Sequence, residues 1–225
     1  MTAAEQRIRV LLADDEPLIR AGVGAVLATD PAIELVAEAA DGREAVDGAR
    51  SHRPDVVLLD LQMPVTDGHG ALTELIRVMP EIKIIVLTTF GAEENIRRAL
   101  TAGAAGFLLK ASDPREMITA VHAVADGGAY LSPRIAGTVI AGYRTGADPT
   151  KTRAADQVGR LTEREREVLT LVTVGLSNAE IGRRMFMVEG TVKGHVSSIL
   201  TKLDVQNRVQ AAILGYQAGL ADDRP

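Results

Sequence analysis

The sequence predicts a doubly wound α/β domain with a five-stranded parallel sheet, followed by a small all-α domain of four helices. Over the first 127 residues, short apolar and β-branched runs alternate with longer segments of helical periodicity. This alternation is typical of a parallel sheet that is covered by helices on both faces. Residues 144–159 are polar, contain Gly and Pro and lack an apolar period, as in a flexible linker. Helical spacing returns at Leu161.

Each element of the first domain follows from a local pattern. Pro17 and Pro114 stand where the first turn of a helix would begin, a position at which the missing N–H of proline is tolerated. The predicted strands are 8–13, 33–37, 56–59, 82–87 and 106–109. The predicted helices are 18–27, 43–50, 71–78, 93–100 and 114–125, and residues 130–143 are compatible with one more.

Capping residues mark the helix starts of the second domain. Thr162 and Glu165 match a capping box, in which the hydroxyl caps the helix and the carboxylate reaches back to the cap. Ser177 and Asn207 are predicted to be N-caps of two further helices. The later helices are predicted at 178–185, 189–203 and 208–220, with a short turn at 186–187 between the first two.

Composition narrows the class of protein. The chain has 225 residues and no cysteine, which excludes disulfides and cysteine-ligated metals. It lacks both a signal-peptide pattern and an apolar run of the roughly 18–20 residues that span a membrane, so we expect a soluble cytoplasmic protein with no membrane partner.

Residues 1–127 contain 12 Lys and Arg against 20 Asp and Glu, whereas residues 158–225 contain 9 against 8. Any DNA contact in the second part must therefore come from individually placed charges.

Polar side chains end four of the predicted strands. Asp14 and Asp15 follow the first strand, and Asp60 ends the third. Because ligands of open parallel sheets bind at the carboxyl ends of the strands, these carboxylates can converge. Mg²⁺ would relieve their repulsion while one carboxylate attacks a phosphoryl group. Thr88 and Lys110 end the fourth and fifth strands and offer a hydroxyl and an ammonium to phosphoryl oxygens.

Four segments around these residues form a highly specific combination. The segments are LLADDE (11–16), LLDLQMP (58–64), VLT (86–88) and GFLLK (106–110). Together they closely resemble the receiver domain of two-component response regulators over about residues 6–127. The resemblance implies a flavodoxin-like fold with strand order 2-1-3-4-5. It also implies that a sensor histidine kinase donates a phosphoryl group to Asp60.

The resemblance implies a role for each residue of this site. Asp15, Asp60 and the backbone carbonyl of Gln62 would bind Mg²⁺ directly, and Asp14 would act through water. Thr88 and Lys110 would hold the phosphoryl oxygens. Phe107 matches the switch aromatic, which turns inward when Thr88 moves. Phe90, two positions after Thr88, is hypothesised to limit water access and to lengthen the lifetime of the phosphoaspartate.

The predicted helix at 189–203 has two different faces. One is an apolar stripe of Val192, Val196, Ile199, Leu200 and Leu203. The opposite side carries small residues, hydroxyls and one cation, and such a face can enter a major groove. Together with the helix before it, this segment forms a helix-turn-helix. The pattern is weak evidence by itself, because most small helical domains with an amphipathic helix have no role at DNA.

A second resemblance strengthens the DNA-binding interpretation. The segments LTEREREVL (161–169), GLSNAEI (175–181) and EGTVKGHV (189–196) look like the LuxR-type DNA-binding domain. Joined to a receiver, this domain is similar to the NarL/FixJ family of transcription regulators. The implied boundaries are 6–127 for the receiver, 128–156 for a linker and 157–222 for the DNA-binding domain.

This resemblance also implies contacts with DNA and with a second copy. The base-reading positions are Lys193, Gly194 and Ser197, and the candidates for phosphate contacts are Thr191, Lys202 and Arg208. The last helix would pair two copies on double-stranded promoter DNA after activation, through Val209, Ala212, Ile213 and Tyr216. Two positions depart from the family: Val188 replaces the usual N-capping Ser, and Gly194 removes a possible base contact.

Two other classes of protein share parts of this pattern. Phosphatases of the haloacid dehalogenase type also use a nucleophilic Asp on a doubly wound sheet, but they carry Asp-x-Asp, and position 62 here is Gln. A receiver-like regulator that is controlled by a ligand or partner without phosphorylation has usually lost an acidic residue, the Thr or the Lys, and none is lost here. We therefore predict a phosphorylation-dependent regulator of transcription and not an enzyme.

Overall fold

The structure, a computed structural model, describes residues 7–64, 66–89, 93–144 and 149–220. The chain divides into two compact units, residues 1–125 with 130–137 and residues 126–129 with 138–225. Phe90, residue 6 and residues 221–222 of the predicted domains lie outside the described residues. Within the described ranges, no helix is both long enough and apolar enough to cross a membrane.

The first unit is built on a parallel sheet with the order β2-β1-β3-β4-β5-β6. Its doubly wound fold and the order of the first five strands confirm the prediction. Strand β3 is buried along its whole length, as expected for a parallel strand covered on both faces. The strands are β1 (Ile8–Ala13), β2 (Ile33–Ala39), β3 (Val56–Asp60), β4 (Lys83–Thr88), β5 (Gly106–Leu109) and β6 (Tyr130–Leu131). The helices are α1 (Pro17–Leu27), α2 (Gly42–His52), α3 (Gly68–Val78), α4 (Glu93–Ala102) and α5 (Pro114–Ala125).

The sixth strand corrects the predicted number of five. Tyr130 and Leu131 pair in parallel with Gly106 and Phe107 of β5. The N–H of Ser132 then donates to the carbonyl of Phe107 at 3.0 Å. Helix α6 (Pro133–Arg144) begins directly afterwards, so the helix expected from residue 130 starts three residues later. A strand of two residues is too short to produce a recognisable alternation in the sequence.

The second unit is all-α. Its helices are α7 (Pro149–Val158), α8 (Glu163–Thr173), α9 (Asn178–Met185), α10 (Glu189–Leu203) and α11 (Arg208–Gln217). The predicted bounds of α9 and α10 are confirmed, and α11 ends before the predicted residue 220. The capping box at Thr162 and the N-caps at Ser177 and Asn207 are confirmed by hydrogen bonds from their side chains.

Helix α7 lies where the sequence predicted a flexible linker. Ala154 and Val158 are buried and join a core that also contains Leu161, Val168 and Leu169. The sequence signal was weak because the apolar residues of this helix are two alanines and one valine among polar neighbours. The packed core of the second unit therefore begins before the predicted boundary at residue 157.

Candidate functional sites

The strand register brings the acidic residues of the first unit together. Asp60 pairs with Leu87, and Thr88 pairs with Leu109, so the carboxyl ends of β3, β4 and β5 meet at one edge. The carboxylates of Asp14, Asp15 and Asp60 each place an oxygen within 4.8 Å of the others. Asp14 and Asp60 are buried, and Asp15 is half-buried.

One ammonium group lies among these carboxylates. The Nζ of Lys110 is 2.8 Å from Oδ2 of Asp14, 2.9 Å from Oδ2 of Asp60 and 3.3 Å from Oε1 of Glu16. The Lys110 side chain is only 6% exposed. Burial alone lowers the pKa of Lys110, but its hydrogen bonds with Asp14 and Asp60 outweigh burial and raise the pKa above its usual value. The ammonium is therefore charged, and one positive charge faces several negative ones.

The charge balance at Asp60 fits a divalent cation. Burial raises the pKa of Asp60, and the hydrogen bond from Lys110 only partly offsets this effect. The N–H of Gln62 donates to Oδ1 of Asp60 at 3.1 Å, which lowers the pKa of Asp60, whereas the negative charge of Asp14 raises it. Buried carboxylates that outnumber the neighbouring cations are costly unless a further positive charge is added. A set of three such oxygen donors is the kind of ligand that Mg²⁺ prefers.

The remaining predicted residues of this site lie on β4, β5 and the loop after β3. Thr88 is buried at the end of β4, and its carbonyl accepts a hydrogen bond of 2.8 Å from the N–H of Lys110. Phe107 is completely buried, so its ring points inward. Gln62 is exposed in the loop after β3, and its N–H is hydrogen-bonded to Asp60. The structure thus gathers Asp14, Asp60 and Lys110 in direct contact.

Sequence reasoning missed a glycine that shapes the site. The N–H of Gly68, the first residue of α3, donates to the carbonyl of Leu61 at 3.1 Å. A Cβ atom at position 68 would overlap the carbonyl oxygen of Asp60 and the Cα of Leu61. Only glycine permits this approach of α3 to the backbone that carries Asp60. The only local signal is that Gly68 follows Asp67, the N-cap of α3.

The second unit exposes the predicted DNA-reading face of α10. Thr191, Lys193, Gly194 and Ser197 are all exposed. The Nζ of Lys193 lies 2.9 Å from Oε1 of Glu189, in a solvent-exposed ion pair that contributes little stability. A Cβ atom at Gly194 would meet nothing within 4 Å, so the glycine is not required by packing.

Lys202, an expected phosphate contact, instead binds a buried carboxylate. Its Nζ lies 2.8 Å from Oε1 and 2.7 Å from Oε2 of Glu165, which is 5% exposed. The hydroxyl of Ser198 donates to Glu165 at 2.6 Å, and the N–H of Thr162 donates to it at 2.9 Å. The hydrogen bond from Lys202, followed by that from Ser198, lowers the pKa of Glu165 to about 2. Glu165 therefore ties the start of α8 to α10.

Arg208, the other expected phosphate contact at the end of the domain, is buried. Its guanidinium donates to Oδ1 of Asn178 at 2.8 Å and to the carbonyl of Leu176. Burial lowers the pKa of Arg208 to about 10, so the group remains charged at neutral pH. Its placement argues against a phosphate contact, since these hydrogen bonds and a third one to the carbonyl of Gly127 are made inside the unit. The resemblance to the LuxR-type domain had made Arg208 a candidate for a phosphate contact.

The predicted dimer face of α11 is only partly accessible. Val209 is buried in its own unit, whereas Tyr216 is 62% exposed. Ala212 and Ile213 lie between these extremes. The exposed apolar surface of α11 is therefore formed by Ile213 and Tyr216, with Ala212 beside them.

Comparison with known proteins identifies both domains. Residues 10–122 match the response regulator receiver domain, and residues 159–214 match the luxR family of bacterial regulatory proteins. The chain is 37% identical over 225 residues to the transcriptional regulatory protein DegU of Brevibacillus brevis, covering 96% of this chain and 95% of that protein. It is 39% identical over 215 residues to LiaR of Bacillus subtilis, covering 96% of this chain and 100% of that protein.

A solved structure supports the same assignment. The response regulator ChrA of a heme-sensing two-component system is 34% identical, with a TM-score of 0.53, covering 96% of this chain and 99% of that one. The class defined by the fold and these relatives is the phosphorylation-dependent transcriptional response regulators. Within that class, the chain belongs to the NarL/FixJ family, in which a receiver domain precedes a LuxR-type DNA-binding domain.

Proposed function

We propose that Asp60 accepts a phosphoryl group from a sensor histidine kinase in the cytoplasm, and that the chain then binds promoter DNA as a homodimer. The observation that carries this proposal is the convergence of Asp14, Asp15 and Asp60 within 4.8 Å, with the ammonium of Lys110 at 2.9 Å from Asp60. This geometry supplies a nucleophilic carboxylate together with groups that bind phosphoryl oxygens.

Mg²⁺ fits the acidic side of this site. Asp15, Asp60 and the backbone carbonyl of Gln62 would hold it directly, and Asp14 would hold it through water. When bound, the ion neutralises negative charge on the phosphoryl group that is being transferred. The excess of buried carboxylates over ammonium groups supports this assignment.

The chain's own residues carry out the transfer and the response. A carboxylate oxygen of Asp60 attacks the phosphorus, forming the acyl phosphate as the bond to the donor breaks. The product adds about 1.5 to 2 negative charges. Lys110 then donates hydrogen bonds both to Asp14 and to an oxygen of the new phosphoryl group. The hydroxyl of Thr88 donates to a second phosphoryl oxygen. Movement of Thr88 changes the packing around Phe107, which shifts the receiver between two conformations.

The output is DNA binding by two copies. Lys193, Gly194 and Ser197 face the bases, and Thr191 contacts a phosphate. Residues 158–225 are nearly neutral, with 9 basic and 8 acidic residues, so one copy has little general attraction for DNA. Pairing through α11 joins two weak sites into one strong site, because the second contact becomes intramolecular.

The test is labelling of the full chain by acetyl phosphate in the presence of Mg²⁺. We expect the wild type to gain the mass of one phosphoryl group and the Asp60→Ala variant to gain none. Asp47→Ala, which removes an exposed carboxylate on α2, serves as the control and should be labelled like the wild type. Equal labelling of wild type and Asp60→Ala would overturn the proposal. Unlabelled wild type that still binds its DNA would favour a receiver controlled by a ligand or partner.

A further inference from the structure

The turn between α9 and α10 presents an aromatic side chain to solvent. Phe186 is 96% exposed, although it is among the largest apolar residues of the chain. Its φ angle of 54° lies in the left-handed region, which bulky side chains rarely adopt. The position therefore combines backbone strain with an exposed ring.

The turn itself does not require a phenylalanine. The N–H of Phe186 donates to the carbonyl of Gly182, a hydrogen bond that any residue with an N–H can make. Glycine is the usual residue at a left-handed helix end because it has no Cβ atom, and asparagine is tolerated there because its short polar side chain can hydrogen-bond locally. A bulky residue in such a conformation is a reason to look for a function of its side chain.

The surroundings of Phe186 identify the kind of partner. Val188, the N-cap of α10, is 73% exposed, and Arg183 and Arg184 are exposed in the last turn of α9. Residues 181–188 contain these two arginines and no acidic residue. An apolar surface beside two cations matches the backbone of a DNA strand, in which apolar sugar rings lie next to phosphates. It also adjoins the start of α10, whose exposed face is the DNA-reading surface.

We propose that the ring of Phe186 packs against a deoxyribose at the edge of the groove that α10 enters. This inference rests on the proposed DNA-binding function. The recognition helix of a helix-turn-helix inserts its N-terminal part into the major groove of DNA. The turn before it therefore lies near the sugar-phosphate backbone that flanks the groove. A contact with sugar adds affinity and leaves the sequence preference unchanged.

The decisive variant is Phe186→Gly in the full chain. The probe is the duplex that wild-type protein, treated with acetyl phosphate, enriches from a random 30-bp library. We expect about tenfold weaker binding of this duplex, which corresponds to the loss of one partly buried ring. The slope of log affinity against log salt should not change, because no cation is removed. The melting temperature should stay equal or rise, since glycine suits the left-handed turn.

If Phe186→Gly weakens DNA binding without lowering the melting temperature, the side chain of Phe186 contacts DNA and does not serve to stabilise the fold. Phe186→Tyr keeps the aromatic ring and should bind like the wild type. Val174→Ala removes an exposed apolar side chain outside this turn and should also leave binding unchanged. Unchanged affinity in Phe186→Gly overturns the inference, and so does enrichment of different bases by this variant. If wild-type protein enriches no duplex, the proposed DNA-binding function fails as well.

Discussion

In each unit a lysine binds at least one buried carboxylate, and the two clusters differ in how completely their charge is satisfied. In the first unit, Lys110 lies between the buried carboxylates of Asp14 and Asp60. In the second unit, Lys202 serves the single carboxylate of Glu165, which also accepts hydrogen bonds from neighbouring residues of α8 and α10. The pKa of Asp60 is raised by burial, whereas that of Glu165 is lowered to about 2.

This difference indicates that the cluster around Lys110 can bind a further ligand, whereas the cluster around Glu165 only stabilises the fold. Negative charge remains in excess around Lys110, so a cation or a rearrangement can lower the energy of that cluster. Around Glu165 every strong partner is already in place, and the cluster fixes α10 against α8. Both clusters combine buried acids with a lysine, but only the incomplete one is suited to chemistry.

The largest expected effect on stability comes from replacing Lys110. Lys110→Met leaves Asp14 and Asp60 buried without a cation, and we expect the first unit to lose about 3 kcal/mol of unfolding free energy without Mg²⁺. Millimolar Mg²⁺ should recover most of this loss, because the ion replaces the missing charge. Chemical denaturation with and without Mg²⁺ measures both effects. Lys83→Met on β4 is the control. An equal response to Mg²⁺ in both variants would contradict an excess of negative charge around Lys110.

A smaller effect is expected at Lys202. Lys202→Met should reduce the unfolding free energy of the second unit by about 2 kcal/mol, since Glu165 keeps its other hydrogen bonds and the lysine is partly exposed. Mg²⁺ should not recover this loss.

DNA binding by the same variant tests the revised role of Lys202. If its ammonium only holds Glu165, the salt slope of DNA binding should equal that of the wild type. A true phosphate contact would lower the slope by about 1. Lys193→Met is the matched comparison: it should change stability little, because its ion pair is exposed, but it should weaken DNA binding.

The last expected effect is a pH dependence of stability that comes from Glu165. Its pKa is about 2 when folded, against an ordinary value of about 4.3, so its contribution is complete above the unfolded pKa and is lost as the pH falls through the folded one. The stability difference between wild type and Glu165→Gln should therefore shrink steadily from about pH 5 to pH 2. Urea denaturation at several pH values measures it. A difference that stays constant over this range would show that Glu165 is not stabilised as a carboxylate.

The sequence allowed the fold and the acidic site to be predicted because both depend on local patterns. Alternating runs located five strands, and the position of a residue at a strand end was enough to place Asp14, Asp60 and Lys110 at one edge. The two-residue strand β6 and the weakly amphipathic helix α7 lacked such a pattern. Strand β6 is held by pairing with β5, which is distant in sequence, and helix α7 is held by the small buried side chains of Ala154 and Val158.

Side-chain partners across long sequence separations could not be predicted. Lys202 finds Glu165 37 residues away, and Arg208 finds Asn178 30 residues away. Glu165 was correctly assigned to a capping box, but its second role as the partner of Lys202 has no local signature. The requirement for glycine at position 68 likewise arises from the approach of α3 to Asp60, which depends on the tertiary fold.

The short sixth strand also affects how the molecule behaves at high concentration. It covers part of β5, which would otherwise be an open edge of the sheet. The opposite edge, β2, carries the exposed carboxylates of Glu34 and Glu38. Open edges allow sheets of neighbouring molecules to join and aggregate, and short strands and charges oppose this. Strand pairing between neighbouring molecules is therefore opposed at both edges of this sheet.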